Sequence, residues 1–140
     1  MNSADLRILI AEDELSHAVV LRRRLERQFP DARLEVVTSI RDYQDSIAAA
    51  LPTIALLDLN LSDGSSLDML KASAAPPAFP VVMMSSCASR QMLDDAITAG
   101  AMDFILKTPE VFSSIAEIVE KTVCEWGLRQ EKDAERRPLP

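Results

Sequence analysis

The sequence contains few of the residues that build disulfide frameworks, cysteine- and histidine-rich metal sites or aromatic cores, and it has no long apolar run. It has 2 cysteines and 1 histidine among 140 residues, and aromatic residues make up 4% of the chain. Cys87 and Cys124 are isolated, which excludes a disulfide framework, and we expect both to pack as ordinary reduced side chains of a cytoplasmic protein. No apolar run approaches the ~18 residues of a membrane span, and no charged stub followed by an apolar run opens the chain.

Positive charge is also in the minority. Asp and Glu number 22 against 15 Lys and Arg, and the formal net charge of -7 would repel nucleic acid and anionic membrane surfaces. Hydrophobic residues nonetheless make up 48% of the chain, so we expect an aliphatic core, which suits an α/β fold better than an all-β fold. The length fits one domain, which we place at residues 1–128, followed by a charged helix end or linker at 129–140.

Five short apolar runs alternate along the chain with stretches whose apolar residues recur at helical spacing. Strands buried on both faces are predicted at residues 6–11, 34–37, 53–57, 81–84 and 103–106. Amphipathic helices are predicted at residues 16–29, 40–51, 66–75, 90–99 and from 109 onward. Strands separated by helices pair in parallel through right-handed crossovers. The sequence therefore predicts an α/β protein with a five-stranded parallel sheet in a three-layer (βα)5 sandwich, and analogy with flavodoxin-like folds gives the strand order 2-1-3-4-5.

The polar residues that are candidates for a functional site each lie just after one of these predicted strands. The set comprises Glu12, Asp13, Glu14, Asp58, Ser85, Ser86 and Lys107. Open parallel sheets bind ligands beyond the carboxyl ends of their strands, where the strand order reverses. Because the first and third strands would be neighbours, their carboxylates would crowd together and need protons or a cation to compensate their repulsion. Hard oxygen ligands of this kind suit Mg2+, which prefers one or two carboxylates and a phosphate.

An acidic cluster with a lysine and a hydroxyl favours phosphoryl transfer. A carboxylate such as Asp58 can attack phosphorus covalently, and the transition state spreads its negative charge over three oxygens. Mg2+ held by Asp13 and Asp58 would neutralise one oxygen, while Lys107 and Ser85 would hold the others. An aspartate is ionised at neutral pH and needs no general base, in keeping with the isolation of His17 in the first helix. Taken singly, each residue also has an ordinary explanation as a helix cap, a turn residue or a solvated charge.

Four segments, taken together, resemble the receiver domain of two-component response regulators. They are residues 8–14 (ILIAEDE), 56–64 (LLDLNLSDG), 80–86 (PVVMMSS) and 100–107 (GAMDFILK). By this resemblance the site residues would be the phospho-acceptor Asp58; the Mg2+ ligands Glu12, Asp13, Asp58 and Asn60, the last through its backbone carbonyl; and the phosphoryl-binding and switch residues Ser85, Lys107 and Phe104.

The same resemblance implies how such a domain is used. A histidine kinase or phosphotransfer protein would donate the phosphoryl group to Asp58, and the surface of the fourth helix, fifth strand and fifth helix would then change shape. The chain would catalyse only its own phosphorylation and dephosphorylation, so it would not be an enzyme acting on a separate substrate. A homodimer through that surface and a sensor or output domain in a longer chain are further expectations. Direct contact with nucleic acid or a membrane is not expected.

Three departures from the family pattern bear on the rate and lifetime of phosphorylation, and none of them removes an essential group. Thr108 follows Lys107 where proline is common, so we expect a trans bond, with Thr108 capping the last helix and Pro109 at its first position. The loop after the third strand is short and has Ser62 where proline is common, and Glu12 stands where aspartate is also common.

Two other functions are alternatives to the phospho-acceptor. One is a pseudo-receiver that binds partners without phosphorylation. The other is a Mg2+-dependent nuclease or topoisomerase-type module, which the acidic net charge disfavours.

Overall fold

The structure, a computed structural model, describes residues 3–136. Within that range its strands are β1 (Arg7–Ala11), β2 (Arg33–Val37), β3 (Ile54–Asp58), β4 (Asn60–Leu61), β5 (Gly64–Ser65), β6 (Val81–Ser85) and β7 (Asp103–Leu106). Its α-helices are α1 (Leu15–Gln28), α2 (Ile40–Ala49), α3 (Ser66–Ala72), α4 (Arg90–Thr98), α5 (Pro109–Ser113) and α6 (Ile115–Arg136), and a short 3-10 helix spans Ser3–Asp5.

Five of the strands form one parallel sheet in the order β2-β1-β3-β6-β7. Counted along the five predicted strands this is 2-1-3-4-5, so the predicted order is confirmed. The register sets Asp58 opposite Met84, and Ser85 opposite Leu106. The last residues of neighbouring strands therefore end at one edge of the sheet.

Alternate residues of the strands enter two separate hydrophobic clusters, one on each face of the sheet. Ile8 and Ile10 pack in a cluster with residues of α1, α5 and α6, whereas Leu9 and Ala11 pack in a cluster with residues of α2, α3 and α4. This is the side-chain period of two expected for strands that are covered on both faces. The predicted three-layer sandwich is confirmed.

Side-chain caps fix where four of the helices begin, α2, α3, α4 and α5. The Ser39 hydroxyl accepts a hydrogen bond from the backbone N–H of Asp42 and so caps α2. The Thr108 hydroxyl accepts one from the N–H of Val111, with Pro109 at the first position of α5. No peptide bond among the described residues is cis. The trans bond and the threonine cap predicted after Lys107 are therefore confirmed.

The segment after β3 is more ordered than the predicted turn. It forms a two-stranded antiparallel hairpin, β4 and β5, in which Asn60 pairs with Ser65. Gly64 has φ +147, a backbone conformation that residues with a side chain rarely adopt. Ser85 also differs from prediction, because it is the last residue of β6 and does not follow the strand.

The helices differ from prediction mainly at their ends. α2 ends at Ala49 and Ala50 is extended, so Leu51 lies outside the helix and is 57% exposed instead of completing the apolar stripe. The predicted last helix is divided at Ser114, whose backbone leaves the helical region (φ -101, ψ 9). Cys87 and Cys124 are free and both exposed, so the expectation that they pack as ordinary side chains is wrong.

Helix α6 runs through the predicted domain boundary at residue 128. Residues 129–136, the first part of the predicted charged helix end or linker, continue this helix and are exposed. Residues 137–140, its remainder, lie outside the described residues. Within residues 3–136, no helix combines the length and the apolar character needed to cross a membrane.

Candidate functional site

Four of the predicted site residues meet at the carboxyl edge of the parallel sheet. Glu12 directly follows β1, Asp58 ends β3, Ser85 ends β6, and Lys107 directly follows β7. Glu12 is 1% exposed, Asp58 4% and Ser85 3%. Burial of ionisable groups at such an edge costs free energy unless they have close partners. The contacts between these groups therefore decide what the site can do.

The ammonium group of Lys107 joins the two buried carboxylates. Its Nζ donates to Asp58 Oδ2 at 2.9 Å and to Glu12 Oε2 and Oε1 at 3.0 and 3.3 Å. The side chains of Lys107, Glu12 and Asp58 are 4%, 0% and 6% exposed. Because so little water reaches these charges, their mutual attraction is stronger than that of a surface ion pair.

Burial and the neighbouring charges together shift the pKa values of Glu12 and Lys107. Burial raises the pKa of Glu12 to about 7, against the lowering effects of the Glu14 backbone N–H and the Lys107 ammonium, while Asp58 raises it further. Burial alone would lower the pKa of Lys107, but its hydrogen bonds to Asp58 and Glu12 and their charges hold it above the usual range. Lys107 therefore remains a cation, and the site carries more negative charge than one cation can balance.

Three carboxylates offer oxygen ligands to a metal ion. One oxygen from each of Glu12, Asp13 and Asp58 lies within 4.8 Å of the others, and Asp13 is exposed where the other two are buried. Hard carboxylate oxygens beside open solvent match Mg2+, which keeps several of its waters. Asn60 lies two residues beyond Asp58, in the hairpin strand β4, and is exposed. The donor set thus fits the predicted ion.

Ser85 and Phe104 have their contacts elsewhere than on the Asp58 carboxylate. The Ser85 hydroxyl donates to the Cys87 carbonyl at 2.6 Å and accepts from the Cys87 N–H at 3.3 Å. Phe104 is half-buried and packs against the hydrophobic cluster on the α2–α4 face of the sheet. The serine hydroxyl is therefore engaged by its own loop and would have to exchange that bond to reach a group on Asp58.

Two further contacts that shape the site are not predicted from the sequence. The buried Ser66 hydroxyl donates to the Asp58 carbonyl at 2.6 Å, which ties the start of α3 to the end of β3. The Glu14 backbone N–H donates to Glu12 Oε1 at 3.0 Å and fixes that carboxylate. The sequence indicates Ser66 only as a helix start, because nothing in its neighbourhood distinguishes a residue that caps a helix from one that supports a strand end.

A match to a family model shows which protein family the chain belongs to. Residues 8–120, which include Glu12, Asp58, Ser85 and Lys107, match the family model of the response regulator receiver domain. The chain belongs to the response regulator receiver domain family. The family that the sequence segments suggested is thereby confirmed, and the chain is a receiver domain of two-component systems.

Two regulatory proteins resemble most of the chain in sequence. It is 27% identical over 139 residues to the methanogenesis regulatory protein FilR1 of Methanothrix harundinacea (strain 6Ac), covering 95% of this chain and 31% of that protein. It is 32% identical over 102 residues to the regulatory protein LuxO of Vibrio vulnificus (strain YJ016), covering 72% of this chain and 22% of that protein. The receiver domain thus spans less than a third of the length of these two regulatory proteins.

The fold is that of solved receiver domains. The crystal structure of a CheY-like response regulator receiver domain protein from Methanospirillum hungatei JF-1 matches with a TM-score of 0.75 at 24% identity, covering 91% of this chain and 98% of that one. The likeness concerns the fold, while the chemistry of the site has to be argued from the residues of this receiver domain.

Proposed function

We propose that this receiver domain accepts a phosphoryl group on Asp58 from a histidine kinase or a phosphotransfer protein. The observation that carries the proposal is the buried contact of 2.9 Å between the Asp58 carboxylate and the Lys107 ammonium, beside two further carboxylates that fit a metal ion. A nucleophilic carboxylate, a fixed cation and a hard-metal donor set are the groups that phosphoryl transfer to a carboxylate requires.

The residues present fit Mg2+, and Glu12, Asp13, Asp58 and the backbone carbonyl of Asn60 are the groups that we expect to hold it. Mg2+ bound there would neutralise charge that develops on the transferring phosphoryl group. Asp58 itself supplies the nucleophile: a carboxylate oxygen forms the new P–O bond as the bond from phosphorus to the donor histidine breaks. The imidazole leaves with the electron pair of that bond and takes up a proton from solvent.

In this proposal, Lys107 and Ser85 donate hydrogen bonds to the remaining phosphoryl oxygens. The Lys107 ammonium already lies 2.9 Å from Asp58 Oδ2, so it can pass from the carboxylate to a phosphoryl oxygen with little displacement. Ser85 can donate its hydroxyl hydrogen to another oxygen only after it gives up the bond to the Cys87 carbonyl. Phosphorylation would therefore favour a second arrangement of the loop after β6.

The surface expected to respond lies on α4, β7 and the helix that follows. A shift of the Ser85 loop would open space for Phe104, which is half-buried, to turn inward. Leu93, Ile97 and Leu106 on this surface are 40%, 46% and 41% exposed, which gives a partner or a second copy apolar area to bury. We propose this surface as the output face and as the face of a homodimer.

The receiver domain would act as a switch and not as an enzyme with a separate substrate. Its own residues would promote phosphorylation and hydrolysis at Asp58, and a sensor or output domain of a longer chain, or a separate partner, would read the state. We expect it to work in the cytoplasm with neither nucleic acid nor a membrane as its direct ligand. A pseudo-receiver that binds partners without phosphorylation is the alternative that experiment has to exclude.

The test is incubation with acetyl phosphate and Mg2+, followed by intact-mass measurement. We expect wild type to gain one phosphoryl group and Asp58→Asn to gain none. Asp45→Asn is a matched control, because Asp45 is an exposed aspartate on α2, and it should behave as wild type. EDTA should abolish the modification. An unmodified wild type that also fails to bind beryllofluoride would establish the pseudo-receiver, and modification of Asp58→Asn would place the acceptor elsewhere.

A further inference from the structure

The single histidine of the chain lies next to the acidic cluster at the start of α1. His17 Nδ1 is 3.0 Å from Glu14 Oε2 and is buried, yet among the described residues it has no partner in hydrogen-bond geometry. The contact meets the distance of an ion pair but not the direction of a hydrogen bond. The imidazole contacts Phe112 edge-on, with ring centroids 5.4 Å apart and an interplanar angle of 67°, and this contact helps to fix its orientation.

His17 belongs to a second group of possible metal ligands, distinct from the group that contains Asp13 and Asp58. One ligand atom from each of Glu12, Glu14 and His17 lies within 4.8 Å of the others. The three side chains grade from buried to open, since those of Glu12, His17 and Glu14 are 0%, 24% and 55% exposed. An ion held by them would therefore have protein ligands on one side and water on the other.

The ligands of this second group are held in place by other contacts. The backbone N–H of Glu14 donates to Glu12 Oε1, and the Ser16 hydroxyl donates to Glu14 Oε1 at 3.2 Å. The remaining Glu14 oxygen, Oε2, is the one that faces His17 Nδ1. Two ligands that each lie about 2.1 Å from one Zn2+ ion are about 3.0–3.4 Å apart in tetrahedral or octahedral geometry. The separation of 3.0 Å between Nδ1 and Oε2 is in that range.

We propose that Glu12, Glu14 and His17 form a binding site for a borderline divalent transition-metal ion, of which Zn2+ is the probe. An imidazole nitrogen with carboxylate oxygens favours such ions, whereas Mg2+ prefers oxygen ligands alone. The second site shares Glu12 with the Mg2+ ligand set and with Lys107. A Zn2+ ion bound through Glu12 would therefore compete with both and lower the rate of Asp58 phosphorylation. The binding itself does not depend on Asp58 being a phospho-acceptor.

The test measures Zn2+ binding by titration calorimetry and by the imidazole NMR signals, which the single histidine makes unambiguous. We expect one Zn2+ per chain, with the His17 signals shifted at saturation. His17→Gln and Glu14→Gln should each weaken Zn2+ binding at least about tenfold. Loss of a residue that only supports a metal ligand already lowers metal affinity by about that factor, and loss of a ligand should lower it by at least as much. Asp13→Asn is the control: it removes a Mg2+ donor and should leave the Zn2+ affinity within about twofold of wild type.

Three results would overturn the proposal. Wild type could bind no stoichiometric Zn2+, His17→Gln could bind as tightly as wild type, or Asp13→Asn could lose as much affinity as His17→Gln. In the last case, Zn2+ would occupy the carboxylate set that contains Asp58. Far-ultraviolet circular dichroism of each variant establishes that it is folded, as expected for substitutions of partly exposed side chains. None of these results bears on whether acetyl phosphate modifies Asp58.

Discussion

Replacement of Lys107 by methionine should destabilise the metal-free protein mainly through its two carboxylate partners. Methionine keeps an apolar stem of similar length but removes the cation that lies 2.9 Å from Asp58 and 3.0 Å from Glu12. Removal of one partner from a buried ion pair costs about 3–5 kcal/mol, because the remaining charge stays buried without compensation. The site lies at the edge of the sheet, so we expect the lower end, about 3 kcal/mol at pH 8.

The loss should depend on pH in a defined direction. Without Lys107, Glu12 binds its proton more readily, and at pH 5 that proton removes much of the uncompensated charge. The destabilisation should therefore be clearly smaller at pH 5 than at pH 8. Urea unfolding in EDTA, followed by the fluorescence of Trp126, gives the free energy of unfolding at each pH.

A matched lysine-to-methionine change on the surface provides the control. Lys121 lies 4.0 Å from Glu125 on α6, with side chains 78% and 50% exposed, so Lys121→Met should alter stability by no more than about 0.5 kcal/mol. The reasoning would be refuted if Lys107→Met lay within about 1 kcal/mol of wild type at pH 8. An equal loss at pH 5 and pH 8 would also refute it, because lost packing, and not charge, would then be the cause.

Three other substitutions have outcomes that follow from single features of the structure. The folded chain binds a proton at Glu12 between pH 4.5 and about 7 that the unfolded chain releases, so stability without metal should fall by about 3 kcal/mol across this window as pH rises. Glu12→Gln should remove most of this fall in urea titrations at several pH values, and an unchanged slope would contradict the burial of a proton-binding Glu12. Gly100→Ala should lower the free energy of unfolding by about 2 kcal/mol, because Gly100 has φ +110 and a Cβ there would lie 2.7 Å from Pro77 Cδ. Gly127→Ala, with open space around the new methyl inside α6, should instead raise it by about 0.5–1 kcal/mol, and equal effects at the two glycines in thermal unfolding would contradict this account.

The fold and the placement of the site can be predicted because they depend on signals that act locally. A parallel strand covered on both faces needs a continuous apolar run, and the last strand, Asp103–Leu106, has in the structure the bounds that the sequence predicts. The sequence predicts Thr108 as a cap because a hydroxyl one residue before Pro109 can serve the first turn of a helix. The alternation of such elements then brings the strand ends to one edge.

The details within the site cannot be predicted because several partners compete for each polar group. Ser85 has a hydroxyl that could point to Asp58 or to its own loop, and the structure shows the second choice, with Cys87 as the partner. Ser66 could have been the cap of α3, but Ser65 takes that role and leaves Ser66 free to bind the Asp58 carbonyl. Tertiary packing decides between such alternatives, and the spacing of residues in the sequence does not.

The location of the phosphoryl group after reaction with a donor tests the central claim most directly. The chain is incubated with acetyl phosphate and Mg2+, the acyl phosphate is reduced with borohydride, and the reduced residue is located by peptide mass spectrometry. We predict one reduced position, residue 58, and none when EDTA replaces Mg2+. Reduction at another aspartate or glutamate, or at no residue under conditions in which the protein is folded, would contradict the assignment of Asp58 as the phospho-acceptor.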